Sequence, residues 1–348
     1  YRINNEGREV GGLCRADGRV HPHYNAHTPA TARISSSDPN SQNYEKDLRV
    51  LIIPEDGHIF IGSDYDQIEL RLISGVAGVW SYILVFRSGG DPHAVTAKLI
   101  YKAAFEKAYV TLLCPKCHAA YKADGIMRKL EKCDKIEKPL STSGVEYARY
   151  RVWADAYDLY NNLRNFAKTF VYAVIYGATP ETLYASVASA ENRDGTLAFP
   201  DMTLAQVVAA QNAWMVGAKE IPAYWNSLLQ QAQQYGYVAE PIAGRVRDCP
   251  GGPKDNRNEI LNFPIQGGAA VIVNKAVMRV TEAIPHDFAK RTGLVNYMHD
   301  AVTFEVAESR ATETIGILDE LLPAVEAATP DVIYSAKAQR ARNWKEAA

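Results

Sequence analysis

The pattern of apolar and polar positions marks out the elements of this chain. The run His58-Ile59-Phe60-Ile61-Gly62-Ser63 is mostly apolar and reads as a buried strand ending at Asp64. From Ile68 to Val76 the apolar residues recur at helical spacing. The spacing predicts a long helix from Ala154 to Tyr176, stopped by Gly177 and Pro180. A second helical stretch runs from Leu204 to about Tyr235, with a break near Pro222. Residues 236–256 hold four Gly and three Pro and read as loop and hairpin. A further helix is expected over roughly Ala269–Ala283. Leu294 to Val306 reads strand, tight turn, strand, with His299-Asp300-Ala301 at the turn. Ser309–Ala328 is largely helical by pattern, and Val332–Lys337 is a last strand candidate. Residues 1–50 are irregular apart from a short strand-like stretch at Gly18–Tyr24. There is no internal repeat, and strands scattered among helices predict an α+β fold.

Composition narrows the class without deciding it. Hydrophobic residues make up 47% of the 348 and charged residues 22%, the balance of a globular protein with room for two or three subdomains. No run approaches the roughly 18 uninterrupted apolar residues of a membrane helix, so no membrane partner is expected. The first residue is Tyr1, not Met, so the missing targeting signal carries little weight. A net charge of −2 argues weakly against a nucleic-acid partner, unless an acidic site and a basic groove coexist. The five cysteines are odd in number, and Cys114, Cys117 and Cys133 lie within twenty residues; this suits a reducing compartment better than a disulfide framework. Residues 105–150, dense in charge and carrying that cluster, read as an insertion with its own small structure.

Three constellations carry candidate chemistry. Asp64-Tyr65-Asp66-Gln67-Ile68-Glu69-Leu70-Arg71 follows the apolar strand directly, so Asp64 sits at a sheet rim where a carboxylate can hold Mg²⁺. Tyr297-Met298-His299-Asp300 places a second aspartate at the predicted hairpin. Two such carboxylates are what a two-metal phosphoryl-transfer site needs, its ions about 3.5–4 Å apart. Arg164, Lys168, Tyr172 and Tyr176 are each four residues apart and share one helical stripe, cations for phosphates and rings for a base. Taken singly, each has a plainer reading: a helix cap, a turn aspartate, and an amphipathic helix with surface cations and core tyrosines.

Together, and in this order, they resemble motifs A, B and C of the family A (DNA polymerase I-like) DNA polymerases. Thr31-Ala32-Arg33-Ile34-Ser35-Ser36-Ser37-Asp38-Pro39-Asn40 with Gln42-Asn43 resembles that family's segment upstream of motif A. Asp91-Pro92-His93, Gly236-Tyr237-Val238 with Gly244-Arg245-Val246-Arg247, Asn262-Phe263-Pro264-Ile265-Gln266-Gly267 and Asn343-Trp344-Lys345-Glu346-Ala347 resemble further family pieces in the right order. The resemblance covers nearly all of the chain outside the insertion. It implies an antiparallel palm in two parts, residues 1–75 and 256–348, around a mostly helical fingers region at 76–255. The family's thumb and exonuclease-like domain would lie N-terminal to the matched region. They are absent from these residues, so weak processivity, or reliance on that region or a processivity partner, is expected.

By the same resemblance, Asp64 and Asp300 would hold two Mg²⁺ ions for template-directed addition of deoxynucleotides to a primer. Arg164, Lys168 and His93 would grip the incoming triphosphate, with Lys168 as proton donor to pyrophosphate. Gln67 neighbours the triphosphate, Tyr172 packs on the nucleotide, Glu69 blocks a ribose 2′-hydroxyl, and Tyr176 guards the templating base. Arg33, Asn262, Gln266 and His299 would hold the primer-template DNA. Three departures stand out: Tyr172 where many relatives have Phe, Ala301 where a carboxylate is usual, and Asn258 where some have an arginine. Cys114, Cys117 and Cys133 form the first half of a zinc-ribbon pattern; Zn²⁺ binding and unpaired surface cysteines stay open as alternatives. A non-catalytic primer-template-binding relative and a single-subunit RNA polymerase are the rival functions. The expected setting is the cytoplasm of a bacterial or phage-infected cell, or an organelle, in replication or in repair.

Overall fold

The computed structural model describes residues 2–3, 9–10, 15, 17–26, 29–113, 125–130, 145–191, 195–287, 291–324, 329 and 331–347. Its centre is an antiparallel four-stranded sheet. Strand β5 (His58–Tyr65) lies between β10 (Ala336–Ala341) and β9 (Ala301–Ala307), and β8 (Gly293–Met298) completes the order β10-β5-β9-β8. Short pairs lie outside it: β1 (Arg2–Ile3) with β2 (Glu9–Val10), β3 (His23–Asn25) with β4 (Ser35–Ser37), and β6 (Tyr237–Ala239) with β7 (Val246–Asp248).

Strand alternation divides β5 between two faces. Ile59, Ile61 and Tyr65 enter the main core with Val302, Phe304 and Val306 of β9. Phe60 faces the other way and packs with Trp344 and Ala347 of the C-terminal turn. That turn lies so close that a Cβ at Gly62 would overlap the carbonyl oxygen of Ala347. Both faces of the strand are therefore covered, which explains its near-continuous apolar run.

The rest is mostly helical: α1 (Ile68–Ala77), α2 (Trp80–Arg87), α3 (Pro92–Tyr101), α4 (Ala103–Leu112), α5 (Val145–Val174), α6 (Pro180–Ala188), α7 (Leu204–Gly217), α8 (Glu220–Tyr235), α9 (Pro253–Ala283), α10 (Ala311–Leu321) and α11 (Trp344–Ala347). Helix α5 packs on α3, α4 and α6, while α9 packs on α1, α8 and α10. One apolar core runs from the sheet through α1 and α9 into α5 and α7. A second, smaller one gathers Phe105, Tyr109, Met127, Trp153 and Tyr160 between α4 and α5. Among the described residues no helix is long and apolar enough to cross a membrane.

Several boundaries differ from the sequence pattern for physical reasons. Helix α9 begins at Pro253, sixteen residues before the expected start at Ala269. Pro264 and the pair Gly267-Gly268 are poor helix formers, yet Ile260, Leu261, Phe263 and Ile265 are buried and tertiary packing holds the turns. The glycines serve close approach instead: a Cβ at Gly268 would sit 2.8 Å from Leu72 and 3.2 Å from Pro241. The last strand is Ala336–Ala341, not Val332–Lys337. Val332 and Tyr334 are buried ahead of the ladder, and the edge strand itself carries Lys337, Gln339 and Arg340, as exposed edges do. Helix α5 starts at Val145 and ends at Val174, so Tyr176 lies in the turn beyond it. The break before α8 falls at Ala218-Lys219, with Pro222 accommodated in the first turn. The strand-like stretch near the start is displaced to His23–Asn25, and α10 ends at Leu321.

Helix α3 starts with an Asp91 cap, whose side chain accepts the His93 N–H, and Pro92 in its first turn. The His93 ring is only 3% exposed. Burial lowers its pKa to about 4; Asp91 opposes this, while Arg164 and Lys168 add to it. The folded protein thus refuses a proton that the unfolded chain takes up near pH 6.5. The stability this contributes is whole above that pH and is lost progressively as pH falls towards 4.

Two outcomes follow from this packing. Gly62→Ala should cost about 1–3 kcal/mol, the usual scale of overpacking, in urea unfolding; an unchanged midpoint would show that the C-terminal turn yields freely. His93→Gln should be less stable than wild type at pH 7.5, with the gap narrowing by roughly 2 kcal/mol at pH 4.5. A gap that does not move with pH would refute the buried neutral imidazole.

Candidate active site

The ladder between β5 and β9 sets Asp64 opposite Ala301, and the Tyr65 N–H donates to the Asp300 carbonyl at 3.4 Å. The two aspartates, distant in sequence, thus meet at one rim of the sheet. They line a cleft of about 270 Å³ together with Asp66, Gln67, Glu69 and Tyr172. Gln67, in a left-handed conformation at φ 53°, makes the turn from β5 into α1, and its Oε1 is buried without a partner among the described residues.

Negative charge crowds this rim. Burial, then the carboxylates of Asp300 and Asp66, push the Asp64 pKa up to about 7 even though its surface stays partly open to the cleft. Burial also raises Asp300, opposed by its own backbone N–H and by Arg33 and His299. Crowded carboxylates with raised pKa suit divalent cations, because binding relieves the repulsion that protonation otherwise must. Among the described residues no ready-made group of three or more His, Cys, Asp or Glu forms a metal cage. A pair of aspartates completed by water and phosphate oxygens is nevertheless the usual setting of Mg²⁺, so the donor set fits.

Glu69 is fixed from two sides: Arg33 ion-pairs with it, and the Tyr176 hydroxyl donates to its other oxygen. Burial raises its pKa against the pull of Arg33. The structure therefore places Arg33 on Glu69, beside the cleft.

Helix α5 carries Arg164, Lys168 and Tyr172 on one stripe, as their spacing predicts; Tyr172 lines the cleft, and Tyr176 continues the line past the helix end. Lys168 is exposed and Tyr172 is 38% exposed. The Tyr172 ring lies against His93, centroids 5.8 Å apart. Arg164 is half-buried and bidentate on Asp91, its Nε at 2.5 Å from Oδ2 and Nη2 at 3.2 Å from Oδ1. Burial works against this guanidinium, yet its bonds to Asp91 hold its pKa above the ordinary value. Sequence reasoning quoted Asp91 only as part of a motif; its Asp-Pro signature announces a helix cap but not the Arg164 pairing.

On α9, Asn262 and Gln266 sit half-buried one turn apart, the Asn262 Oδ1 without a partner among the described residues. His299 is exposed in the β8–β9 turn at φ 58°, and burial of its ring together with Arg33 lowers its pKa. Arg257, beside Asn258, donates to the Gly177 carbonyl at 3.0 Å. Gln42 was missed as a builder of the site: its Nε2 donates to the Ile34 and Tyr297 carbonyls, each at 2.9 Å, tying the segment after β4 to β8. Cys114, Cys117 and Cys133 lie outside the described residues.

A larger cavity, about 590 Å³, opens near Phe60 and Trp344. Its charged wall is the Arg19, Glu55 and Glu305 group, in which Arg19 pairs with both carboxylates, so it gathers no reactive constellation.

The family model described as DNA polymerase family A matches residues 9–111 and 151–346. DNA polymerase I of Chloroflexus aurantiacus is 26% identical over 320 residues, covering 88% of this chain and 27% of that protein. The thermostable DNA polymerase I of Thermus aquaticus is 25% identical over 321 residues, 88% of this chain and 30% of its own length. The chain thus spans about a third or less of the curated relatives it matches. The POL domain of Pol1 from M. smegmatis, solved in complex with DNA primer-template and dNTP, superposes with a TM-score of 0.69 at 22% identity, over 96% of this chain and 49% of that one. The α+β architecture is thus that of a polymerase palm sheet with a mostly helical fingers region. With the family model spanning all but the two ends and residues 112–150, the chain belongs to DNA polymerase family A.

Proposed function

We propose that this chain performs template-directed addition of deoxynucleotides to a primer 3′ end by two-metal phosphoryl transfer. The observation that carries the reading is the meeting of Asp64 and Asp300 at one sheet rim, in a cleft lined also by Tyr172 of the stripe that carries Arg164 and Lys168. Family membership supports it, as does the primer-template DNA and dNTP bound by the M. smegmatis relative.

Asp64 and Asp300 are the residues that would hold Mg²⁺. The bound ions would supply activation of the primer hydroxyl and stabilisation of the pyrophosphate leaving group. The protein's own residues do the positioning. Arg164 and Lys168 set positive charge where the triphosphate enters, and Lys168, exposed on the helix, returns a proton to pyrophosphate. His93, neutral at physiological pH, contributes a hydrogen bond and not a charge. Gln67 lines the cleft beside the triphosphate path. Glu69, immobilised by Arg33 and Tyr176, blocks a ribose 2′-hydroxyl, while Tyr172 packs on the sugar and base. Arg33, Asn262, Gln266 and His299 hold the primer-template near its terminus. The palm then comprises residues 1–75 and 256–348, and the fingers 76–255.

One observation favours a binding-only relative instead. Ala301 puts a methyl group opposite Asp64, where a carboxylate would have added a third ligand.

On a primed template with Mg²⁺ and dNTPs, wild type should extend the primer. Asp300→Asn should slow extension by at least on the order of a hundredfold, the scale for losing one group that stabilises transition-state charge, with primer-template affinity kept. Equal extension by both proteins would remove the two-aspartate site from the reaction. In the same assay wild type should accept dideoxynucleotides readily, the Tyr172 hydroxyl replacing the missing 3′-hydroxyl contact. Tyr172→Phe should widen discrimination against them by roughly tenfold or more, one hydrogen bond's worth. Identical dideoxy selectivity in the two proteins would refute that role.

A further inference from the structure

The family match stops at residue 111 and resumes at 151. One described piece of the interval, residues 125–130, packs against Gly90 and Asp91. The Met127 carbonyl accepts the Asp91 N–H at 2.8 Å. Gly90 has no room for a side chain: its Cβ would lie 2.7 Å from the Met127 oxygen and 2.9 Å from Ile126. The Arg128 N–H donates to the Tyr109 hydroxyl of α4 at 2.6 Å, and the Leu130 N–H to the Tyr160 hydroxyl of α5 at 3.0 Å. Tyr109, Tyr160 and Met127 are all at most 3% exposed, so each bond has one buried partner.

One tie reaches the Asp91–Arg164 pair directly, a second ends on Tyr160 beside Arg164, and the third holds Tyr109, whose ring packs on Tyr160 with centroids 5.9 Å apart. Asp91, held through its N–H, caps α3 and grips Arg164 in a bidentate bond. Tyr160 lies one helical turn before Arg164 and close enough to help raise its pKa. A guanidinium held at two nitrogens has its plane fixed, which is what bidentate phosphate recognition requires.

We infer that residues 126–130, outside the family match, act as a positioning element for Arg164, acting through Asp91 and so setting affinity for the incoming nucleoside triphosphate. Met127 is thereby a positioning residue, not a catalytic one. The inference rests on the polymerase reading of the cleft.

Steady-state extension, run well below the unfolding temperature, tests it with Met127→Ala and Tyr109→Phe. Each should raise the KM for dNTP by about tenfold, the order expected of a slightly misplaced binding group, with kcat and primer-template affinity within about twofold. Met127→Leu should restore KM. In an Arg164→Lys background, Met127→Ala should add less than about twofold, because the two changes act on one path. Unchanged KM in both variants, or a Met127→Ala effect that multiplies fully with Arg164→Lys, would overturn the inference. So would a drop in kcat alone. Equilibrium dNTP binding to protein on a dideoxy-terminated primer-template separates the two readings. If wild type binds dNTP without extending primers, the polymerase reading fails and the dissociation constant replaces KM in the same comparison. If it binds no dNTP, both readings fall.

Discussion

The constraint on which the rest depends is the register of β5 against β9. Seven residue pairs, from His58 with Ala307 to Asp64 with Ala301, fix it. Side chains alternate along a strand, so a slip of one residue would turn Asp64 into the core and Tyr65 into the cleft. Ile59, Ile61 and Tyr65 on one face and Phe60 on the other make that slip costly, since it would expose apolar groups and bury a carboxylate. The apolar packing far from the cleft thus decides where the acid sits.

Electrostatics then work against the arrangement that packing imposes. Asp64, Asp66 and Asp300 repel one another at the rim, and burial adds to the cost of ionising Asp64. The nearest cations answer other carboxylates, Arg33 serving Glu69 and Arg164 serving Asp91. Arg33 and His299 offset only part of the cost at Asp300, and no cation is among the causes that act on Asp64. Unfavourable charge of this kind is what the proposed Mg²⁺ pair would relieve.

Much of this was legible in the sequence because the signals are local. The strand into Asp64, the hairpin at His299-Asp300 and the four-residue spacing from Arg164 to Tyr172 all follow from periodicity and turn chemistry. What escaped depends on partners distant in the chain. The first half of α9 defies Pro264 and Gly267-Gly268 because Leu72 and Pro241 close on it. The Asp91–Arg164 pair spans 73 positions, and the Gln42 bond to Tyr297 spans 255. The Arg33–Glu69 ion pair spans 36 positions, and nothing near Arg33 in sequence announces it.

The position of β5 between two late strands also has a consequence for synthesis on the ribosome. Its partners are residues 301–307 and 336–341, so the strand waits for more than 230 further residues before either edge is paired. At about 5–20 residues per second that is on the order of ten to fifty seconds with an apolar strand unpaired. Among the described elements, α1 to α9 and β8 are complete before β9 emerges, but none of them supplies a ladder partner to β5 in that interval. The nascent chain is therefore most exposed to aggregation through the very strand that later carries its first aspartate.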